Sequence, residues 1–383
     1  MTFSQPTSAA APAPVLPAVF ADKPLVDPAI IERIRASRQR LGKRVLILGH
    51  HYQRDEVIQF ADFRGDSYDL SRRAALVRDA EIIVFCGVHF MAETADILTA
   101  DHQAVLLPDL NAGCSMADMA DIHQVEECWE SLEELVDTSR VIPVTYMNST
   151  AAIKAFCGAR GGVVCTSSNA RAVLKWAFER GDRVLFIPDQ HLGRNTGLDM
   201  GIAAEAMPVW NPHKVNGGLS PQEIRRSRII LWKGHCSVHQ NFQPGHVDYF
   251  RERFPGINVI VHPECMHEVV AKADYVGSTA YIIRMIQQAP AGTRWAIGTE
   301  HHLVNRLAQE HPHLEVSTLA PFACQCSTMF RIDPSDLAHI LERIEAGEIP
   351  NRVTVDPETK GHALTSLERM LEITEAAKVG APD

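Results

Sequence analysis

The sequence predicts an α/β protein made of three similar, pseudo-symmetric units, each containing a parallel sheet. Apolar runs of strand length alternate along the chain with helix-like segments, which is the pattern of parallel sheets. Landmark residues also recur at one fixed spacing, which indicates that a unit has been repeated. The chain has 383 residues and is 46% hydrophobic, so it can bury a large core and form two or three domains.

The first predicted element is a helix near the start of the chain. Asp27 is a suitable N-cap, Pro28 suits the first helical position, and Gly42 marks the end. The next segment, RVLILGHHYQ, is a continuous apolar run typical of a strand buried on both faces of a parallel sheet. Nine further runs follow this pattern: EIIVFCGVH, AVLLPDL, VIPVTYMN, GVVCTSS, RVLFIPDQH, RIILWKGHC, NVIVHPE, RWAIGTEHH and EVSTLAPF. Ligands of such sheets bind at the carboxyl ends of the strands, so the polar residues at these ends are site candidates.

An offset of 212 residues aligns the first third of the chain with its last third without gaps. It places ADFRGDS at 61–67 on ADYVGST at 273–279. It also pairs single residues: His50 with His262, His89 with His301, and Cys114 with Cys326. A middle copy fits with insertions through TYMNST, CTSSN, PDQH and GHCS, and the polar stretch at about 195–228 is the largest insertion. The sequence therefore predicts three homologous α/β units.

These alignments predict where the domains begin and end. The predicted segments are a disordered Ala- and Pro-rich tail at 1–25, unit 1 at 26–138, unit 2 at 139–255 with its insertion near 195–228, unit 3 at 256–347, and a C-terminal helical segment at 348–383 that packs back onto the units.

Composition and charge argue against several classes of protein. The formal net charge of −10 disfavours nonspecific nucleic-acid binding, which needs a positive surface. No stretch approaches the roughly 20 apolar residues of a membrane span. Nine cysteines without a secretion signal indicate a reducing, cytoplasmic compartment, where thiols serve as packing residues, catalysts or metal ligands.

Three cysteines have the same position in the three units. Cys114, Cys236 and Cys326 each follow the last strand of a unit, so units arranged about a common axis bring three thiols to one centre. Three thiolates suit a [4Fe-4S] cluster whose fourth iron lacks a protein ligand, and such an iron can act as a Lewis acid. The predicted fold is therefore three α/β domains around a central iron-sulfur site.

Other interpretations of the cysteines stay open. A free thiol is most often a small buried hydrophobe, and that role is assigned here to Cys86, Cys128, Cys157 and Cys265. The segment Cys324-Gln325-Cys326 also fits a redox pair or part of a zinc site, although the paired C-x-x-C spacings of zinc sites are absent. The offset of 212 selects Cys326, and not Cys324, as the ligand.

Eleven stretches of the chain resemble quinolinate synthase, the NadA family of NAD biosynthesis. They lie between about residues 43 and 333 and read LGHHYQRDE, FRGDSYDLS, CGVHFMAETADIL, NAGCSMADM, VTYMNSTAAIKA, CTSSNA, PDQHLGRN, WKGHCSVH, VHPEC, ADYVGSTAYII and FACQCSTMFRI. The resemblance implies three domains around a [4Fe-4S] cluster held by three cysteines. It also implies condensation of iminoaspartate with dihydroxyacetone phosphate to quinolinate, with release of phosphate and two waters. It further implies a functional link to L-aspartate oxidase or aspartate dehydrogenase, and a monomer or homodimer that binds neither nucleic acid nor membrane.

The same resemblance implies roles for individual side chains. His50 and Tyr52 correspond to a catalytic pair that lines the substrate pocket, Glu264 to the main acid-base carboxylate, and His262 to its neighbour in the pocket. We expect a raised pKa for Glu264, because a carboxylate in a low-dielectric site is harder to ionise. Substrate-binding hydrogen bonds are assigned to polar residues at strand-to-helix turns, where backbone N–H groups attract anions: Ser67, Tyr146, Asn148, Ser167, Ser278 and Thr279.

Less specific interpretations of this group also stay open. Ser67, Ser167 and Thr279 equally suit helix N-caps, and Tyr146 with Asn148 suits a hydrogen-bonded pair at a strand end.

Two other functions compete with the synthase. A cluster-dependent hydro-lyase acting on a dicarboxylate would share the cluster but need no phosphate pocket. A non-enzymatic iron-sulfur or zinc regulator would need a DNA-binding or partner surface, whereas the chain is acidic and has no basic stripe. Release of phosphate from dihydroxyacetone phosphate separates the synthase from the hydro-lyase.

Overall fold

The computed structural model describes Leu16 and residues 26–379. The predicted tail at 1–25 lies outside the described residues except for Leu16, and so do the last four residues of the predicted C-terminal segment. The described chain is α/β with mostly parallel sheets, which confirms the predicted fold class. None of the helices within these ranges has the length and apolar character needed to cross a membrane.

The described residues form fourteen strands and fifteen α-helices. The strands are β1 (Val45–His50), β2 (Phe63–Gly65), β3 (Ile82–Cys86), β4 (Ala104–Leu106), β5 (Val141–Tyr146), β6 (Val163–Cys165), β7 (Arg183–Ile187), β8 (Val209–Trp210), β9 (Ile229–Trp232), β10 (Asn258–Val261), β11 (Tyr275–Val276), β12 (Arg294–Gly298), β13 (Glu315–Thr318) and β14 (Arg352–Val353). The helices are α1 (Pro28–Leu41), α2 (Asp55–Ile58), α3 (Ser67–Leu76), α4 (His89–Leu98), α5 (Ile122–Glu133), α6 (Ala151–Ala159), α7 (Ala170–Phe178), α8 (Gln190–Asp199), α9 (Pro221–Arg226), α10 (Pro244–Arg253), α11 (His267–Val270), α12 (Thr279–Gln287), α13 (His301–Glu310), α14 (Pro334–Glu345) and α15 (Pro357–Val379).

The strands form three sheets that share one strand order within the described residues. The orders are β14-β4-β3-β1-β2, β6-β5-β7-β9-β8 and β11-β10-β12-β13. In each sheet the first strand along the chain lies between the second and the third, and the strand beyond the third is β4, β9 or β13. In the second sheet β8 precedes β9 along the chain but lies at the edge, beyond β9. Neighbouring strands pair in parallel, except that β14 is antiparallel to β4. This common order is what repeated units require, while the domain boundaries given above remain predictions.

Helix α1 begins and ends where the sequence predicts. The side chain of Asp27 accepts a hydrogen bond from the N–H of Ala29 at 2.9 Å, and Pro28 is the first helical residue. At the other end Gly42 has a φ of 54°, a left-handed conformation that a residue without Cβ adopts at little cost. One face of the helix is buried through Ile34 and Leu41.

All ten predicted strands are present, and their burial explains why they were recognisable. Strands β1 and β5 are buried at every residue, as continuous apolar runs require. The four strands that sequence reasoning missed, β2, β8, β11 and β14, are two or three residues long and only partly buried, whereas the equally short β4 and β6 are buried at every residue. They therefore lack the continuous apolar run that indicates a buried strand.

The insertion and the C-terminal segment extend two of the sheets. The insertion near 195–228 supplies β8, which pairs in parallel with β9 at the edge of the second sheet. The segment after residue 348 supplies β14 at the edge of the first sheet and then α15, which packs against α6, β6 and α7 of the second.

Candidate active site

Loops that follow strands of all three sheets line one cavity. The volume of this cavity is about 80 Å³. Twelve of the thirteen predicted site residues line it: His50, Tyr52, Ser67, Cys114, Tyr146, Asn148, Ser167, Cys236, His262, Glu264, Thr279 and Cys326. Residues hundreds of positions apart in sequence are therefore neighbours in the fold.

The three cysteine loops share one backbone geometry. Each cysteine begins a single helical turn, in which its carbonyl oxygen accepts a hydrogen bond from the N–H four residues later. Each loop is also attached to the helix that follows the third strand of its sheet, through a bond to the carbonyl two residues before the cysteine. These bonds run from the N–H groups of His89, Gln190 and His301 to the carbonyls of Ala112, Gly234 and Cys324, at 2.8, 3.0 and 3.0 Å. Loops of different sequence are thus held in the same way in each repeat.

The three predicted ligands also differ from the other cysteines in exposure. Cys114, Cys236 and Cys326 are partly exposed, whereas the remaining six are buried: Cys86, Cys128, Cys157, Cys165, Cys265 and Cys324. Cys324 is 1% exposed and packs in an apolar cluster that contains Phe242 and Leu319. Its sulfur does not line the cavity, so the geometry favours Cys326 over Cys324 as a ligand.

The thiols of this trio are hard to ionise without a cation. Burial raises the pKa of the Cys114 thiol to about 12, and it raises the pKa values of Cys236 and Cys326 in the same direction. Backbone N–H groups in each following turn donate to the sulfur and oppose this shift, because they stabilise the thiolate. A metal that binds here must therefore displace protons, and the N–H groups lower the energy of doing so.

A tighter group of possible metal ligands lies beside Cys236. Among the described residues, ligand atoms of Cys236, His239 and Glu264 lie within 4.8 Å of one another. The carboxylate of Glu264 is already paired with Nδ1 of His239 at 2.9 Å. The ring of His239 also stacks on that of His262, with centroids 4.5 Å apart. Two members of the group thus have partners without a metal.

His50 and Tyr52 lie on one loop that fixes the tautomer of the imidazole. Nδ1 of His50 accepts the N–H of Tyr52 at 3.1 Å, so the ring proton is on Nε2. Burial, together with the charges of His51 and Arg306, lowers the pKa of His50 to about 3. The imidazole is therefore a neutral hydrogen-bond donor at physiological pH. The Tyr52 hydroxyl lies 3.0 Å from the hydroxyl of Thr279, and burial raises the pKa of Tyr52 well above its usual value.

The loop of His262 and Glu264 repeats this arrangement. Nδ1 of His262 faces the N–H of Glu264 at 3.4 Å, as Nδ1 of His50 faces that of Tyr52. Burial lowers the pKa of His262 to about 3, although the charge of Glu264 acts against it. Both loops therefore present a neutral imidazole, followed two residues later by an acid-base group.

The raised pKa expected for Glu264 is wrong. Burial does act to raise the pKa of this carboxyl, but its neighbours outweigh that effect. His262 and His239 lie against it, and hydrogen bonds from His239 and Tyr146 stabilise the ionised form, so the pKa of Glu264 is lowered to about 2. The carboxylate is ionised at neutral pH and can accept a proton.

A continuous set of hydrogen bonds links Glu264 to Tyr52. His239 donates from Nδ1 to the ionised Glu264 at 2.9 Å, and its Nε2 is hydrogen-bonded to the hydroxyl of Thr299 at 3.2 Å. The Thr299 hydroxyl is in turn hydrogen-bonded to the Tyr52 hydroxyl at 3.0 Å. The fully buried Thr299 thus connects the two predicted acid-base residues.

The polar residues at the helix starts divide into caps and cavity residues. Ser67, Ser167 and Thr279 line the cavity, and none of them is an N-cap, since Asp66, Asn169 and Ser278 hold those positions in α3, α7 and α12. The hydroxyl of Ser278 accepts the N–H of Tyr281 at 3.3 Å and does not line the cavity. Its role in substrate binding remains a prediction.

Sequence reasoning did not place His239 or Thr299 in the site. His239 is 1% exposed and follows Cys236 by three residues, so both lie in the same turn. This three-residue spacing was the sequence signal that could have placed His239 in the site. Thr299 follows β12 and is 0% exposed, and no motif distinguishes it in sequence. Four methionines also line the cavity and make part of its wall apolar: Met91, Met116, Met147 and Met329.

Comparison with known proteins identifies the family of the chain. A sequence profile described as Quinolinate synthetase A protein matches residues 32–372. The quinolinate synthase of Rhodopirellula baltica is 58% identical over an alignment of 353 residues that covers 89% of this chain and 90% of that protein. Quinolinate synthases of Nocardioides sp. and Streptomyces coelicolor are each 57% identical, over 91% of this chain and 91% and 89% of theirs. The chain therefore belongs to the quinolinate synthetase A family of enzymes.

Proposed function

We propose that this protein is a quinolinate synthase of de novo NAD biosynthesis that works with a [4Fe-4S] cluster. The observation that carries the proposal is the meeting of three partly exposed thiols, one from each repeat, in one cavity of a chain from this family. The proposed reaction condenses iminoaspartate with dihydroxyacetone phosphate to quinolinate. One phosphate and two waters are released, and no oxidant or reductant is needed.

Cys114, Cys236 and Cys326 would hold the cluster. Three soft sulfur donors, each with a backbone N–H placed to stabilise a thiolate, fit the ligand set of an iron-sulfur cluster. When bound, such a cluster offers an iron without a protein ligand, which can polarise a substrate oxygen. His239 and Glu264, beside Cys236, are left for hydrogen bonding and proton transfer.

Glu264 and Tyr52 are suited to opposite halves of a proton transfer. The ionised Glu264 accepts a proton from substrate, and the neutral Tyr52 hydroxyl donates one to a leaving or carbonyl oxygen. Thr299 and His239 lie between them and hold the two acid-base groups in one set of hydrogen bonds.

Neutral donors surround the space where the anionic substrates would bind. The two substrates together carry two carboxylates and a phosphate, and the Nε2–H groups of His50 and His262 can donate to their oxygens without adding a charge. Ser67 and Thr279 are the first residues of α3 and α12, where backbone N–H groups and the helix dipole favour anions. These groups account for a phosphate pocket, which a dicarboxylate hydro-lyase does not need.

The reaction is tested with protein purified without oxygen. Dihydroxyacetone phosphate is supplied together with iminoaspartate generated in situ by L-aspartate oxidase, and quinolinate and phosphate are both measured. We expect equal amounts of the two products, and no quinolinate when the oxidase is omitted. Dehydration of a dicarboxylate without release of phosphate would instead identify a hydro-lyase and refute the synthase. Protein stripped of iron with a chelator is the matched control and should be inactive.

A further inference from the structure

Three loops of the cavity carry related residues at equivalent positions. Tyr52 and Glu264 are related by the offset of 212, and each lies two residues after a histidine at the end of a strand. Asn148 lies two residues after Tyr146, which ends β5 of the second sheet. All three equivalent residues line the cavity. The segments 51–53, 147–149 and 263–265 are called the site loops below.

Arg306 holds the site loop of Tyr52 from another sheet. It is the sixth residue of α13, next to the third sheet, and is 7% exposed. Its Nη1 donates to the carbonyl of His51 at 2.9 Å and its Nη2 to the carbonyl of Gln53 at 2.6 Å. Nε donates to Asp55 at 2.7 Å. One side chain thus binds the carbonyls on both sides of Tyr52.

Asn195 holds the site loop of Glu264 in the same manner. It is the sixth residue of α8, next to the second sheet, and is 8% exposed. Its Nδ2 donates to the carbonyls of Pro263 and Cys265, each at 2.8 Å. Its Oδ1 lies 3.1 Å from Nδ1 of His267. The carbonyls on both sides of Glu264 are again bound by one side chain.

These two sets of bonds coincide position by position. The offset of 212 relates the bound residues, 51 to 263, 53 to 265 and 55 to 267, and the binding residues are both sixth in equivalent helices. A guanidinium and a carboxamide thus make the same connection with different chemistry. We take this match as a sign that the contact has a structural function, because an arginine and an asparagine would not otherwise bind the carbonyls of equivalent residues in two loops.

The first sheet makes a weaker version of this contact with the second. Thr94, sixth in α4, places its hydroxyl 4.0 Å from the sulfur of Met147. The adjacent Glu93 accepts the N–H of Ala151 at 3.0 Å, and Ala151 begins α6 as Asp55 begins α2. The contacts therefore run from the first sheet to the second, from the second to the third, and from the third back to the first.

We propose that Arg306 and Asn195 are positioning residues for Tyr52 and Glu264. Each fixes the backbone on both sides of an acid-base residue, from a neighbouring repeat, and so sets the direction in which that side chain enters the cavity. Catalysis depends on such preorganisation, since a misplacement of about 1 Å can lower a rate by about 100-fold. This inference rests on the proposed function, because it takes Tyr52 and Glu264 as the acid-base groups.

Arg306→Lys and Asp55→Asn separate positioning from charge pairing. Lysine keeps a positive charge opposite Asp55, but a single ammonium cannot replace the planar guanidinium that reaches three acceptors. Asp55→Asn removes the ion pair and leaves both carbonyl bonds. We expect Arg306→Lys to lower kcat about 10- to 100-fold with little change in KM, and Asp55→Asn to stay within about twofold of the unmodified protein. Iron and sulfide contents should match in all three proteins.

Asn195→Asp independently tests the contact between Asn195 and the site loop of Glu264. The substitution keeps the oxygen that faces His267. It replaces the Nδ2 amide, which donates to the carbonyls of Pro263 and Cys265, with a carboxylate oxygen that can only accept. We expect kcat to fall about 10- to 100-fold. His267→Ala is the matched control, because it leaves both carbonyl bonds in place and should have little effect on kcat.

Double variants show whether each residue acts through its partner. In a Glu264→Gln background, Asn195→Asp should lower kcat by less than about twofold, since the group it positions is already lost. Likewise, Arg306→Lys should lower kcat by less than about twofold in a Tyr52→Phe background. If Asn195→Asp and Arg306→Lys lower kcat as much in these backgrounds as they do alone, the two residues have only general structural roles and the inference is overturned. Full kcat in both single variants would also overturn it. Absence of quinolinate with the unmodified protein would instead reject the proposed function.

Discussion

Two cysteines only two residues apart should respond oppositely to the same substitution. Cys326→Ser removes one of three sulfurs that line the cavity, and a serine hydroxyl is a poor ligand for iron. We expect the iron content after anaerobic purification to fall from about four atoms per chain to less than one. The apoprotein should lose little stability, because Cys326 is partly exposed and a hydroxyl there can reach water.

Cys324→Ser should retain the iron and lose stability instead. The thiol is 1% exposed among apolar side chains such as Phe242 and Leu319. A hydroxyl buried there without a hydrogen-bond partner costs about 1–3 kcal/mol. The iron content should stay at that of the unmodified protein, because the Cys324 sulfur lies outside the cavity lining.

Two measurements check this pair of variants. Iron and sulfide analysis of anaerobically purified protein reports the cluster, and urea unfolding of the apoprotein reports stability. Cys114→Ser and Cys236→Ser should behave like Cys326→Ser, since all three thiols face the same cavity. The reasoning fails if Cys324→Ser loses its iron while Cys326→Ser keeps it.

Three further predictions concern the acid-base groups and the buried histidines. Glu264→Gln should lower kcat for quinolinate formation by about 10²- to 10⁴-fold with the iron content intact, because it removes a base and keeps its shape; a loss below about tenfold would contradict the assignment. Thr299→Val should lower kcat about tenfold, because it leaves Tyr52 and His239 without their shared partner, whereas Thr299→Ser should stay near normal in the same assay. Burial lowers the pKa values of His50 and His262 to about 3 from 6.5, so between those pH values the unfolded chain binds protons that the folded chain does not. The free energy of unfolding of the apoprotein should therefore fall with falling pH, by about 1 kcal/mol per histidine from pH 6.5 to 5.5. Urea unfolding of a His50→Gln variant should show a shallower pH dependence, and an unchanged slope would count against the buried neutral state.

Much of the fold could be predicted because its signals are local. Helix α1 has a cap, a proline and a terminal glycine at the expected places, and most of the ten predicted strands are apolar runs. The two-residue strands β8, β11 and β14 were not predicted, because they are strands only through pairing with a neighbouring strand. Ser278 shows the same limit at a helix start, where sequence alone could not separate a cap from a cavity residue.

The pKa of Glu264 shows how far site chemistry depends on distant residues. Burial alone predicts a raised pKa, and that prediction was wrong because the neighbouring His262, together with His239 and Tyr146, outweighs the effect of burial. His262 is only two residues from Glu264, but His239 and Tyr146 come from other parts of the chain, so their stabilisation of the carboxylate had no local signal. The same holds for Arg306, which reaches Tyr52's loop across more than 250 positions.

By itself, the sequence determined the α/β class, the repeat at an offset of 212 and the choice of three equivalent cysteines, because hydrophobic period and internal repetition are written along the chain. Only the tertiary structure decided which residues meet across the three sheets: the Tyr52–Thr299–His239–Glu264 connection, the sign of the Glu264 pKa shift and the contacts of Arg306 and Asn195. The physical reason is that these interactions join residues far apart in sequence, and their energies depend on distance and burial, which exist only once the chain has folded.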